Sequence, residues 1–515
     1  MFTEKCGLMA ICSLVSLFAF HYAGAQSDQI KTAAFSTSIN SPRHSFKTRA
    51  STDSTTTPKL VFAHFIAGLT INYTQNDWLS HIKLAASHGI DAFALNVGAP
   101  AAWQVEQVST AYNTASQVNT TSGSSFKLFL SLDMSVITAA SDVTAWVTKF
   151  STLPSQLLIN GRPLISTFSG EANFLGGANR SAGWQAAVKT PLLSLTPPVN
   201  PLFIPVWSSL DPATSVSSNP VVDGIMTWKS WPTGSESINT VVDLQFQNAA
   251  KSQQKLYMAG VSPCFYTHYS SKNYLFRGDD NLYINRWKEL IAMSPPPDFV
   301  EIISWNDYGE SHYIGPVTHN TQPDDTTWVT GFEHTSWLTM TDYFIQWYKT
   351  GSQPAITEDK VYFNYRPHSR SAVASSDPLG PPANASDTND AIYAATFLAP
   401  NSGAQQIQIS VGKESQTFTN LSMNSISTFS APWSGSGGAV QVSLLDGSGK
   451  VLMKGQAAVP IDNSIKTYNF NYATETLTKN GLQSAKSGSS DLLHVNLLYA
   501  LFPIIINQLC VHGLL

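Results

Sequence analysis

The sequence predicts an α/β protein, a (β/α)8 TIM barrel followed by a C-terminal all-β sandwich-like domain. Three observations predict it. Eight short apolar runs recur between Leu60 and Trp305, most of them continuous in hydrophobicity, as strands buried on both faces must be. Helix-like segments fill several of the gaps. After Ala391 the apolar period falls to two, which is the period of a half-buried strand.

The eight runs are Leu60–Ala67, Ile90–Val97, Lys127–Met134, Pro163–Ser169, Pro201–Trp207, Val222–Trp228, Leu256–Val261 and Phe299–Trp305. Helix-like segments cover Asn76–Ser87, Ala101–Val118, Asp142–Leu153, Asn239–Lys251 and Asp279–Met293, with Asn76 and Asp142 as N-cap candidates and Gly89 as a stop. Strand-then-helix units repeated in this way are what a closed parallel barrel requires. A doubly wound open sheet is the competing architecture. It calls for a glycine-rich phosphate loop after the first strand, whereas His64–Gly68 contains a single glycine. A further helix over Thr335–Thr350 is expected to cover the barrel. In the β-rich region, Gln406–Val411, Ala439–Leu445 and Lys466–Asn471 alternate, and Gly447-Ser448-Gly449 marks a hairpin turn. The expected organisation is a signal peptide over 1–25, a Ser/Thr-rich disordered linker over 26–58, the barrel over 59–366, a linker over 367–388, the β-sandwich over 389–475, and a Ser/Gly spacer with a hydrophobic tail over 476–515.

Of 515 residues, 43% are hydrophobic and only 12% charged, with a net charge of −5. A large core can form, and no basic stripe invites nucleic acid. Lys5, the apolar run Gly7–Phe20 and Ala23-Gly24-Ala25 read as a secretory signal. N-x-S/T sequons at Asn72, Asn119, Asn179, Asn384 and Asn420 agree with passage through the secretory pathway. Ala485–Ser490 followed by Leu492–Leu515 resembles a GPI attachment signal, so membrane anchoring through the tail is an expectation, as is a monomeric chain. Cys264 is the one cysteine in the body of the chain, so stability must come from burial rather than from cross-links.

The chemistry concentrates where the eighth strand ends. Asp307 and Glu310 stand among Trp305, Asn306, Tyr308, His312 and Tyr313. Paired carboxyls can protonate a glycosidic oxygen and activate water or attack the anomeric carbon, while flat rings stack on pyranose faces. In a barrel, catalytic groups lie at the carboxyl ends of the strands. Those ends supply His64, Asn96, Asp133, Glu171, Trp207, Trp228 with Trp231, and Tyr266 with His268. Asp133 could hold water, bind a hydroxyl or raise a neighbouring carboxyl by like-charge repulsion. No His-x-His follows the first strand, so no metal is expected, and the histidines are assigned to hydrogen bonding. No G-x-S-x-G elbow follows any strand, which leaves serine hydrolysis without its nucleophile. No cofactor is implied.

Several separated blocks, VFAHFIAG at Val61, GIDAFALNVG at Gly89, LFLSLDMS at Leu128, INGRPLISTFSG at Ile159, DGIMTWKSWP at Asp223, VSPCFYTH at Val261 and EIISWNDYGESHYIGP at Glu301, resemble the fungal α-1,3-glucanases, the mutanases of glycoside hydrolase family 71. The resemblance runs from about Leu60 to Arg366. It implies a (β/α)8 barrel that cleaves α-1,3-glucosidic bonds of a polysaccharide with inversion, and an acidic trio matching Asp133, Asp307 and Glu310. Relatives usually carry Trp at the position of Cys264, which would reshape a subsite if that ring stacks on glucose.

Overall fold

The computed structural model describes residues 57–121, 123–318, 326–435 and 437–483. The expected signal peptide, nearly all of the Ser/Thr-rich linker and the hydrophobic tail fall outside them. All eight apolar runs contain strands: β1 (Leu60–Ile66), β2 (Ala92–Val97), β3 (Lys127–Asp133), β4 (Arg162–Phe168), β5 (Leu202–Phe203), β6 (Gly224–Thr227), β7 (Leu256–Val261) and β8 (Phe299–Ile302). Parallel pairings join β1 to β2, β2 to β3, β3 to β4, β4 to β5, β6 to β7, β7 to β8 and β8 back to β1. Val206, just past β5, bridges to Phe168 on one side and Met226 on the other. The sheet therefore curls into a barrel-like ring.

Alternation around this ring explains why the strands read as continuous apolar runs. Phe62, Ala94, Phe129, Leu164, Met226, Met258 and Phe299 point inward and pack as one cluster, while Val61, Phe65, Phe93, Leu95, Leu130, Ile165 and Val300 belong to the core under the helices. Each face buries its own row, and each fully buried Leu, Val or Phe contributes roughly 1.5–3 kcal/mol.

The helices are α1 (Gln75–Ser87), α2 (Ala102–Ala115), α3 (Ala140–Phe150), α4 (Arg180–Trp184, prolonged by a π-helical turn into Thr190–Leu193), α5 (Val241–Ser252), α6 (Leu282–Ala292) and α7 (Thr335–Thr350). The cap expected at Asn76 is instead Thr74, whose side chain accepts from Asp77 N while Asp77 accepts from Thr74 N. Asp142 lies inside the first turn of α3, whose cap position, Ala139, has no side chain able to accept. Among the described residues, the β5–β6 connection is a chain of turns rather than a helix. Pro205, Pro212 and Pro220 lie in it and interrupt any backbone ladder.

The C-terminal region forms two antiparallel sheets from β9 (Lys360–Tyr365), β10 (Ala391–Phe397), β11 (Gln406–Val411), β12 (Glu414–Phe418), β13 (Ile426–Pro432), β14 (Val440–Leu445), β15 (Val451–Gln456), β16 (Ala473–Thr478) and β17 (Gly481–Gln483). One sheet runs β13-β10-β9-β16-β17 and the other β12-β11-β14-β15. Three boundaries differ from expectation. Lys360–Tyr365, read as the end of the barrel, is the central strand of the first sheet. Lys466–Asn471 is not a strand, because the chain pairs only from Ala473, and the sheet continues past residue 475 to Gln483. Residues 367–388 are a strap bonded to the barrel rather than a free linker. Leu275 N donates to Ala383 O, and Ala383 N to Asn273 O. Tyr362, Ala395, Phe397 and Tyr472 join the same core cluster as Trp337 and Phe344 of α7, and residues 59–483 fall within one compact unit. Among the described residues, no helix is long and apolar enough to cross a membrane.

Candidate active site

The carboxyl end of β8 builds the acidic centre through one turn of chain. Past Ile302 the chain stays beside β1, with Trp305 N donating to His64 O. Asp307 then caps a single 3-10 turn, Tyr308–Glu310, by accepting Glu310 N at 3.2 Å. The D-x-x-E spacing thus places both carboxylates on one side of one turn. An oxygen of Asp307, an oxygen of Glu310 and a ring nitrogen of His312 all lie within 4.8 Å of one another. The Asp307 and Glu310 side chains are 23% and 22% exposed, open enough for a substrate to reach. Gly309 between them lies close under Tyr269, since a Cβ there would come within 2.5 Å of the Tyr269 hydroxyl.

His312 is fully buried. Its Nδ1 meets Ser304 Oγ at 3.0 Å and its Nε2 meets Glu310 Oε2 at 2.8 Å. The other Glu310 oxygen is bound by the Lys272 ammonium, which arrives from the antiparallel hairpin Phe265–Tyr269/Lys272–Phe276 after β7. Asp133 closes β3, and its Oδ1 accepts both Ser135 N and Ser135 Oγ.

These environments push the three acids apart. Burial, then the neighbouring Glu310 charge, raise Asp307 to about 6. Burial would raise Glu310 as well, but the Lys272 charge and the His312 bond outweigh it and hold Glu310 well below the usual carboxylate range. Asp133 is raised, chiefly by desolvation, against the two Ser135 bonds. Asp307, Glu310 and His312 could in geometry accept a metal, but the Lys272 ammonium already occupies the anionic side of the group. A cation of either kind suits that site, and the protein supplies its own.

Around this centre the expected ligand-binding residues divide into two sets. His64, Asn96, Trp228 and Trp231 stand at strand ends of the same rim, but only the two tryptophans are open, His64 and Asn96 being buried. Trp228 packs edge-on to His64 at 4.9 Å, and Trp231 stacks on His312 at 5.8 Å and on Phe276 at 5.7 Å, both tryptophans partly exposed. The other set does not face a cleft. Trp207 is fully buried against Trp184 and Phe203, on the helix side of the sheet. Trp305 is fully buried and donates from Nε1 to His81 Nδ1. Asn306 spends its amide on β1, accepting Ile66 N and donating to Ile66 O. Tyr266, Tyr308 and Tyr313 are buried and donate to the carbonyls of Tyr468, Pro316 and Phe332. His268 is taken up by Asn273 and Asp377, 2.8 Å from each. Aromatic residues near a strand end serve as core fillers as readily as sugar platforms, and sequence alone does not tell these apart. Glu171 accepts Ser209 N and Oγ, which makes it a loop tie. Cys264 is also sealed, its thiol raised by burial and directed at Ser311 O, so its side chain does not line the cleft.

Two residues of the centre were missed by sequence reasoning. Lys272 is the cation opposite Tyr269 across a two-residue turn. Glu301 is a charge in the middle of an apolar strand, which is itself a signal, since such a group stays buried only if paired. It meets His64 Nδ1 at 2.8 Å, both side chains nearly inaccessible.

Comparison with known proteins places the chain as a whole. The family model described as "Glycosyl hydrolase family 71" matches residues 57–487, which include every element above. The chain belongs to glycosyl hydrolase family 71. It is therefore a glycoside hydrolase. The family 71 chain is 38% identical over 425 residues to a glucan endo-1,3-alpha-glucosidase of Schizosaccharomyces pombe, covering 82% of this chain and 96% of that protein. An ascus wall endo-1,3-alpha-glucanase of the same yeast is 34% identical over 435 residues, covering 82% and 98%. A mutanase of Penicillium rubens is 32% identical over 451 residues, covering 84% and 91%.

Proposed function

We propose that this chain is an endo-acting α-1,3-glucanase, a (β/α)8 barrel in which Asp307 protonates the glycosidic oxygen, Glu310 takes the proton of the attacking water and Asp133 assists. The observation that carries the assignment is the split within one turn. Of two carboxyls that close, one is raised to about 6 and its neighbour is held ionised, the pattern of an acid and a base at mildly acidic pH. The glucan substrate is inferred from the family 71 relatives, named as endo-1,3-alpha-glucanases and a mutanase. Trp228, partly exposed and edge-on to His64 at the same rim, offers a stacking face for its glucosyl units. Action outside the cell, at the wall, fits the N-terminal apolar run and the exposed position of all five sequon asparagines.

Stereochemistry is open to a direct test. Inverting pairs stand about 6.5–9.5 Å apart with water between them, and retaining pairs about 5–5.5 Å. One oxygen of Asp307 lies within 4.8 Å of one of Glu310, so inversion calls for the pair to open around a water, or for water to be presented from Asp133. The short separation favours a second reading, retention, in which Glu310 attacks the anomeric carbon itself. Anomer-resolved NMR during hydrolysis of α-1,3-glucan decides. Newly released β-anomer is expected for inversion, and α-anomer first would establish retention. Binding without any release of reducing ends would remove the hydrolase assignment, and products longer than the donor would make the chain a transglycosylase.

A further inference from the structure

Lys272 has no role in the scheme above, yet nothing about it is that of a surface lysine. Its ammonium contacts Glu310 and lies 5.1 Å from the Phe265 ring and 5.8 Å from the Tyr274 ring, which stack on each other at 4.9 Å. The hairpin that carries it is fastened from outside by the strap. Tyr274 bridges to Ala383, His268 Nε2 meets Asp377 Oδ2 at 2.8 Å, and Asn273 Nδ2 donates to Gly380 O. Both strands of the hairpin are thereby pinned, and the ammonium arrives at one place.

That place matters because of what surrounds Glu310. Asp307 and His312 face it from its own loop, Asp133 from the end of β3, and Lys272 and Tyr274 from the hairpin, while His64 faces Asp133 and Asp307 from β1. Three carboxylates share this space. Without a permanent cation, one proton would be divided between Asp307 and Glu310, and neither would hold a fixed role.

We infer that Lys272 is a positioning residue that keeps Glu310 ionised beside a protonated Asp307, so that two acids on one turn take different parts in the reaction. The inference rests on the hydrolytic reading proposed above. The Lys272 ammonium is itself held charged, Glu310 outweighing the effect of burial.

The test compares Lys272→Met and Lys272→Arg in the full chain, by pH profiles of kcat/KM on soluble α-1,3-gluco-oligosaccharides. Methionine keeps the stem between the rings and removes the charge. The acidic limb, which reports ionisation of Glu310, is expected to move up by about one unit or more, with kcat reduced about 10²-fold and KM changed less than about twofold. Arginine is expected to restore the limb. A Met variant with the wild-type acidic limb would overturn the inference, as would equal loss in both variants with no movement of the limb. Should the Met variant fail to fold, 13C-glutamate labelling of the wild type, with Glu310 assigned by its absence in Glu310→Gln, reads the same quantity. Glu310 is expected to remain ionised below its ordinary midpoint of about 4.3, and half-titration at or above that value would overturn the inference. The labelling result is independent of turnover, so a wild type that releases no reducing ends would sink the hydrolytic reading and leave this measurement standing.

Discussion

Asp307→Asn is expected to lower kcat/KM on α-1,3-glucan by about 10²–10⁴-fold, the usual contribution of a positioned acid or base. Asparagine keeps an oxygen to accept Glu310 N, so the 3-10 turn persists and the loss reports chemistry rather than folding. The pH profile should change with it. An acid raised to about 6 is protonated below that value and empties tenfold per unit above it, so the wild type loses activity as pH rises through about 6. In the variant that alkaline limb disappears. A substrate whose leaving group needs no proton, such as an oligoglucosyl fluoride, sharpens the result. Asp307→Asn should recover most of its rate on it, whereas Glu310→Gln, lacking the base or nucleophile, should not. Full activity of Asp307→Asn on the polymer would take the residue out of the acid role.

The barrel and the acidic pair were legible in the sequence for physical reasons that can be named. Strands buried on both faces leave continuous apolar runs, and Phe62 facing inward while Val61 faces the helices is the same fact seen in space. The D-x-x-E spacing equals one helical turn, so sequence distance translated directly into spatial proximity. Sequence proximity to a strand end carried no such information for the aromatic residues. Trp305 and Trp228 both follow a strand by a few residues, yet one donates to buried His81 and the other stays partly open beside His64. Which way each ring turns depends on helices and strap segments far away in the chain. Lys272 was illegible for the same reason, since its partner lies 38 residues on and the hairpin that aims it is fixed by a strap more than a hundred residues beyond. Residues 367–388 look like a linker because Pro, Ser and Ala dominate their composition. Composition describes local stiffness, whereas the bonds to Asn273, Leu275 and His268 are tertiary.

Asp279→Ala is expected to destabilise the protein by about 3–5 kcal/mol, the cost of leaving one member of a buried ion pair without its partner. Asp279 lies just past the Lys272 hairpin, fully buried, and its carboxylate is shared. Arg366 Nη1 and the Tyr472 hydroxyl both donate to Oδ1, at 2.5 and 2.6 Å, and Asn389 N donates to Oδ2 at 2.6 Å. Arg366 follows β9, Asn389 precedes β10 and Tyr472 precedes β16, so one barrel carboxylate ties down three points of the C-terminal sheet. Gly278 permits the approach, because a Cβ there would lie 2.5 Å from Pro263 O. Alanine would leave a guanidinium that is 4% exposed without its counter-charge. Since Tyr362, Phe397 and Tyr472 also share a core with α7, barrel and sandwich should still unfold in one transition, displaced as a whole to lower urea. Two separated transitions would show that the sandwich folds independently, and a shift below about 1 kcal/mol would show that Arg366 finds other partners. The double variant Asp279→Leu/Arg366→Met removes both charges and should recover much of the loss, since the penalty belongs to the orphaned ion rather than to the absence of the pair.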